Sequence, residues 1–264
     1  MSLAILAALD AEARALGRTL SQVAASASDA NVFEGRVAGQ RVVVGAGGVG
    51  RAPTEAMARL LLQTHRPQVM LVAGVAGALD PGLARVQTVI SPRVLHCRGS
   101  GHDGSDGAVD EVRCDERLAE AAAHSLRKAG VACALSDCAT IDAALITVSE
   151  KAKAWDRLDA GVVDMEAYWA GLAAREHGVP FLAIRVVLDR ACERLPAFTR
   201  DWHGPEDSPK LVRRWLLRPW EVLEALLLQR RLAQALRALE LAVATLAPAL
   251  ASAASGRGKG HQLV

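Results

Sequence analysis

Three carboxylates stand where acid–base chemistry would need them: Glu12, Glu166 and Asp189. Asp164-Met165-Glu166 opens an Ala-rich run that reads as a helix reaching Glu176, stopped by Gly178 and Pro180. Residues 181–188 follow as a nearly continuous apolar run, the pattern of a buried parallel strand, and Asp189 sits at its carboxyl end. Glu12 follows another short apolar run, residues 3–9, which reads as the first buried strand. Ligands of open α/β sheets bind outside the carboxyl ends of strands. Carboxylates meeting in such a crevice suggest proton transfer or recognition of a polar ligand. Each has an ordinary reading too: Asp164 as a helix N-cap, Glu12 and Glu166 as first-turn residues complementing a helix dipole, Asp189 as a cap of the next element.

The elements that would position them follow in order. A helix is expected over residues 13–24, then a hairpin with strands 33–37 and 41–44 turning across Ala38-Gly39-Gln40. Gly45-Ala46-Gly47-Gly48-Val49-Gly50 is a GxGxxG string between that strand and a helix over 53–64. Alone it suggests an NAD-dependent oxidoreductase. The strand is not the first of the sheet, however, and the next one, residues 68–75, ends in Gly74-Val75-Ala76-Gly77 without an acid for a ribose hydroxyl. Backbone amides in such turns can approach a sugar or an anion. Further strands are expected over 86–91 and 138–146, and helices over 115–129 and 149–155. Between them the Gly-rich stretch 96–112 reads as a mobile loop. Its His96, His102 and Asp103 match no standard metal spacing, so no metal site is expected.

Taken together, Val163-Asp164-Met165-Glu166-Ala167, Gly178-Val179-Pro180-Phe181 and Arg185-Val186-Val187-Leu188-Asp189 resemble the purine nucleoside phosphorylase/nucleosidase superfamily, which includes methylthioadenosine/S-adenosylhomocysteine nucleosidases. Ala8-Leu9-Asp10-Ala11-Glu12, Gly48-Val49-Gly50-Arg51 and Gly74-Val75-Ala76-Gly77 extend the likeness, which covers about residues 3–190. It implies a single α/β domain with a central mixed twisted sheet flanked by helices. It also implies roles: Asp189 protonates the purine at N7 and Glu12 activates water. Glu166 holds the ribose hydroxyls with Met165 under the sugar, and Asp164, Gly48, Gly74, Val75, Ala76, Leu145 and Ile146 complete the site. Four places depart from the pattern, one of them Val86-Gln87, where the family usually has Gly-Asp before the strand over 86–91. Leu188 replaces the serine before the acid, Val75 replaces the turn serine, and Leu145 stands where many members have Phe, trading stacking for aliphatic packing. Without a serine hydroxyl at position 75, and with no evident cluster of phosphate-binding Arg, hydrolysis is preferred to phosphorolysis. No cofactor is expected, only water or inorganic phosphate as co-substrate.

Beyond Ala191 the pattern changes. Ser208-Pro209 starts a helix over 209–217, and Pro219 opens a long one to about residue 246. In it Leu228, Leu232, Leu236, Leu239, Val243 and Leu246 form one apolar stripe. Such a helix packs on the domain or a second subunit. Alternatively, with Trp215, Trp220, Arg213, Arg214, Arg218, Arg230 and Arg231, it suits a membrane surface. Arg213-Arg214-Trp215-Leu216-Leu217-Arg218-Pro219 also resembles the hopanoid-associated phosphorylase branch, which implies removal of adenine from adenosylhopane, a triterpenoid joined to the 5′ carbon of adenosine. The chain then divides into a catalytic domain, residues 1–200, a C-terminal amphipathic helical extension, 201–254, and a frayed tail, 255–264.

Composition bounds these readings. A chain of 264 residues that is 51 % hydrophobic, with net charge +2, can bury a full core and carries no nucleic-acid footprint. The five cysteines have no metal spacing and read as free thiols. No signal peptide and no bilayer-spanning stretch is read. The expectation is a cytoplasmic homo-oligomer, a dimer, with peripheral contact to the inner membrane through its C-terminal helices. Its ligand is a small nucleoside or nucleosyl lipid. The competing functions are methylthioadenosine/S-adenosylhomocysteine nucleosidase, purine nucleoside phosphorylase, the NAD enzyme, and a catalytically weak lipid-binding relative.

Overall fold

Strand β5 (Val69–Ala78) is the spine of the molecule. Ten residues of Val, Leu, Met, Ala and Gly let it be buried on both faces. On one side it pairs in parallel with β1 (Ser2–Ala7), and on the other with β12 (Phe181–Asp189). Its last residues pair antiparallel with β11 (Val162–Asp164), so the sheet forks at its carboxyl end. A computed structural model supplies these coordinates and describes residues 2–25, 31–97, 109–200 and 220–255.

One arm runs from β1 through β4 (Gln40–Ala46) and β3 (Val32–Val37) to β2 (Ser21–Ala25). The other runs from β11 through β10 (Cys138–Thr140) and β7 (Arg93–Cys97) to β8 (Val109–Arg113). Beside β12 lie β6 (Thr88–Ser91), antiparallel to it, and β9 (Cys133–Leu135). Parallel and antiparallel pairs coexist, so the sheet is mixed. Helices α1 (Asp10–Gly17), α3 (Glu116–Lys128) and α6 (Trp220–Ser255) cover one face, while α2 (Arg51–Leu60) and α5 (Ala167–Glu176) cover the other. Helix α4 (Val148–Leu158) closes a smaller cluster near the fork. This is a single α/β domain with a C-terminal helix.

Several expectations change in outline. The first helix ends at Gly17, because residues 21–25 are recruited as an edge strand against β3, a pairing that no local pattern announces. The hairpin turns across Ala38-Gly39, both at positive φ, as a two-residue primed turn requires. The 96–112 stretch is a loop only in part: His96 and Cys97 end β7, and β8 begins at Val109. His102 and Asp103 lie outside the described residues. The strand expected over 138–146 stops at Thr140, and residues 141–147 run irregularly along the site. The 162–190 stretch starts with a three-residue strand, not a helix. The expected helix over 209–217 and the tail 256–264 lie outside the described residues.

Helix α6 corrects the reading that nothing is apolar enough to span a bilayer: Glu221–Leu250 qualifies by length and composition. Its second half explains the apolarity otherwise. Leu239, Val243, Leu246 and Leu250 are fully buried in the core with α3 and the sheet. Its first half behaves differently: Leu223, Leu226 and Leu227 are exposed on one side, while Ala225, Leu228 and Leu232 face a cavity on the other.

Candidate active site

That cavity, of about 460 Å³, lies outside the carboxyl ends of β1, β5, β11 and β12. Its volume is in the range of small-molecule sites. Glu12, Asp164, Glu166 and Asp189 all line it. Each arrives by a different route.

Glu12 sits in the first turn of α1, and its carboxylate turns back to accept from the N–H groups of Ala8 (3.0 Å) and Leu9 (2.9 Å). Its other oxygen accepts from the N–H of Val75 at 2.7 Å, across on β5. Helix-start duty and a place in the cavity are therefore combined in one side chain. Burial raises its pKa above the usual value, against the hydrogen bonds from Leu9 and Val75 and the charge of Arg185. Gly74 makes this approach possible. A Cβ there would lie 2.7 Å from Glu12 Oε1 and 2.9 Å from Arg185 Nη1.

Asp164 and Glu166 are two residues apart and do different work. Asp164 accepts from Thr140 Oγ1 (2.6 Å) and from the Ala167 N–H that opens α5 (3.0 Å), and it forms a fully buried ion pair with Arg185. Its carboxylate is occupied structurally, although its side chain touches the cavity. Glu166 takes no such role. It accepts from the Gly50 N–H at 3.0 Å, at the end of the Gly-rich turn after β4. Burial first, and then the negative charge of Asp164, raise its carboxyl to about 8, against Arg185 and the Gly50 N–H. Glu166 is therefore mainly the neutral acid at pH 7.

The raised value links folding to pH. Folding takes up a proton between the unfolded value, near 4.5, and about 8. The stability contribution is complete below 4.5 and declines as pH rises through that window. In Glu166→Gln this titration is absent. From pH 5 to pH 9 its melting temperature should gain roughly 3–6 °C on the wild type. A difference constant with pH would rule out a buried neutral acid.

Asp189 ends β12 at a bulge: Val187 pairs with Ala76 and Asp189 with Gly77, leaving Leu188 as the extra residue. Bulges re-aim side chains beside active sites. Here Leu188 and Asp189 both reach the cavity instead of opposite faces. Burial raises the Asp189 pKa, although the Lys151 ammonium, in a fully buried pair with it, acts the other way.

Met165, Leu145, Val75 and Ala76 also line the cavity. Three expected site residues do not. Gly74 lies one residue short of the lining and serves close packing. Gly48, at φ +90, donates to the Ala8 carbonyl at 2.9 Å and shapes the turn. Ile146 is buried elsewhere: its N–H is held by Glu150 at 2.9 Å, and its carbonyl accepts from Leu195. The GxGxxG string offers little for a pyrophosphate. The N–H groups of Gly47, Gly48 and Gly50 go to Ala7, Ala8 and Glu166.

Sequence reasoning passed over Arg185 and Lys151. The first was visible as one arginine inside an otherwise apolar strand. The second shares a helix face with Ala154 and Leu158, the apolar stripe of α4.

A family model described as the phosphorylase superfamily matches residues 2–225. The chain belongs to the phosphorylase superfamily. Among curated relatives of this superfamily member is the 5′-methylthioadenosine/S-adenosylhomocysteine nucleosidase of Anoxybacillus flavithermus, 26 % identical over 204 residues, 72 % of this chain and 86 % of the relative. Solved structures with its fold include the Neisseria meningitidis nucleosidase of that name in complex with methylthio-immucillin-A, with TM-score 0.73 and 20 % identity, covering 93 % of this chain and 98 % of the other. The futalosine hydrolase of Helicobacter pylori matches with TM-score 0.73 and 14 % identity over 94 % and 97 %. The likeness to the solved structures takes in a larger share of the chain than the family model does.

Proposed function

We propose that this phosphorylase-superfamily member hydrolyses the N-ribosidic bond between adenine and a 5′-substituted ribose, with adenosylhopane the preferred substrate. The observation that carries the reading is the meeting of Glu12, Glu166 and Asp189 in one nucleoside-sized cavity. Asp189, buried and raised in pKa, gives a proton to N7 as negative charge develops on the leaving base. Glu166 receives the ribose hydroxyls beside Met165. Glu12, anchored by three backbone N–H groups, orients and deprotonates the attacking water. No cofactor is needed for these steps.

Water is favoured over phosphate by the donors already committed. The Val75 and Gly50 N–H groups, which an anion would use, bind Glu12 and Glu166. Among the described residues the cavity lining holds four carboxylates and no lysine or arginine. A phosphate dianion would find no cationic side chain in that lining.

The 5′ group is argued from the opposite wall. Leu195, Phe198, Ala225, Leu228 and Leu232 make it apolar, and its helix carries Leu223, Leu226 and Leu227 exposed on the outside. A triterpenoid too large for the cavity would leave over this wall, and the exposed leucines would meet the membrane that holds it. The curated relative favours a second reading, methylthioadenosine or S-adenosylhomocysteine as substrate.

Mass spectrometry of products from vesicle-borne adenosylhopane, methylthioadenosine and inosine, each with and without phosphate, tests this. The expected result is adenine and free ribosyl product from the two adenosine derivatives, independent of phosphate and fastest with adenosylhopane; inosine could release only hypoxanthine and is the control for the base. Leu226→Asp should slow the vesicle reaction while sparing methylthioadenosine. A preference for methylthioadenosine would move the assignment to the second reading.

A further inference from the structure

Lys151 is a side chain the mechanism above leaves unused, and it is 1 % exposed. Three donors are available on an ammonium, and all three are engaged: one by Asp189 Oδ2, one by the Arg190 carbonyl at 2.8 Å and one by the Glu193 carbonyl at 2.8 Å. The two carbonyls fix the nitrogen independently of the carboxylate.

The surroundings hold both ends of this arrangement. The start of α4 is a capping box, with Thr147 Oγ1 accepting from Glu150 N and Glu150 accepting from Thr147 N. Glu150 also pairs with Arg200. The segment after β12 is tied by Glu193, which accepts from the Arg190 N–H at 3.0 Å and pairs with Arg85. Against the burial that disfavours charge, hydrogen bonds from Arg190 N–H and Arg85 hold the Glu193 carboxyl at about 2. Leu195 N–H reaches the Ile146 carbonyl at 3.0 Å, stitching the two segments together. Leu188, the neighbour of the acid in the chain, brings only an aliphatic side chain to the cavity. A donor to orient Asp189 has to come from elsewhere.

We propose that Lys151 is the positioning residue for the acid of this site. Its ammonium holds Asp189 by Oδ2 and leaves Oδ1 to address the leaving base. It also sets the pH range over which the acid works. The inference rests on Asp189 facing the base, as proposed above. The charged groups facing Asp189 are Lys151 from α4, Glu193 from the segment after β12, and Arg231 from α6. Glu12 and Glu166 share the cavity with it. Of these, Lys151 alone forms an ion pair with it among the described residues.

A proton-donating carboxyl loses activity as pH rises through its pKa, and a neighbouring cation moves that loss to lower pH. Without the cation, the alkaline limb moves up. Lys151→Gln keeps a donor and removes the charge; Lys151→Met removes both. Adenine release would be followed from pH 5 to 9, with melting temperature and the fraction of folded enzyme measured alongside. In Lys151→Gln the alkaline limb of kcat is expected to rise by about one pH unit or more. At its best pH, kcat is expected to fall at least ~10-fold with KM within ~3-fold, the signature of lost orientation rather than lost binding. Lys151→Met should show the larger kcat loss.

A lysine that only supports the fold would lower the melting temperature and leave the limb in place, and that outcome overturns the proposal. If both variants unfold, the wild type decides. The Nζ resonance of Lys151 in 15N-lysine-labelled enzyme should move when adenine is added, and a signal insensitive to bound adenine would overturn the role. Failure of the wild type to release adenine from any nucleoside would instead break the assignment of the reaction.

Discussion

Asp189→Asn should lower kcat by ~10³-fold or more, toward the upper end of what one general acid contributes, with KM within ~3-fold of the wild type. The carboxamide is nearly isosteric with the protonated carboxyl and still offers Lys151 an oxygen, so the site keeps its shape. What it lacks is a proton it can surrender. The cost to folding is separate: removing one partner of a buried ion pair leaves the other without its counter-charge. The melting temperature should therefore fall even where substrate still binds. Adenine release measured under single-turnover conditions, on enzyme shown to be folded, checks the claim. Turnover close to that of the wild type would remove Asp189 as the acid.

Glu12→Gln is expected to cut hydrolysis at least ~100-fold while the affinity for a non-reactive adenosine analogue changes little. The geometry explains why this substitution is severe. Both Glu12 oxygens accept from backbone N–H groups, those of Ala8 and Leu9 on one side and Val75 on the other. A Gln side chain must point its NH2 at one of these donors, so one contact becomes donor against donor. The variant loses both the base and the anchor that aims it. Adding inorganic phosphate should not restore the rate. If phosphate dominated the rate and phosphorylated ribose appeared, the water-activating role would be wrong.

The two losses should differ in pH behaviour as well as in size. In the proposed mechanism Asp189 is needed with its proton and Glu12 without it. Burial raises both, while Arg185 lies by Glu12 and Lys151 by Asp189. On that mechanism the working window should close at low pH as Glu12 takes up a proton and at high pH as Asp189 gives one up. Each variant removes its own limb.

Much of this was legible along the chain. The apolar runs of β1, β5 and β12, the Gly178-Val179-Pro180 stop after α5, and the helical run of α3 are local signals, since strand burial and helix ends are dictated by nearby residues. The acids themselves were legible because carboxylates at strand ends and helix starts of an α/β chain fall on one side of the sheet. The two readings of each acid could not be separated in this way. Asp164 and Glu166 look alike in sequence. Only packing gives the first to Arg185 and the helix start and leaves the second to the Gly50 N–H and the cavity.

What the sequence determined by itself is the succession of strands and helices and the placing of three acids at their ends, because both follow from periodicity and from short-range backbone chemistry. What the tertiary structure alone decided is that these acids share one cavity while Asp164 is committed to Arg185 and the start of α5. Edge strand β2, the bulge that turns Leu188 and Asp189 to one side, the ion pairs made by Arg185 and Lys151, and the apolar wall of α6 all join residues distant in the chain. Contacts of that kind depend on how the sheet forks at β5, and no local pattern carries that information.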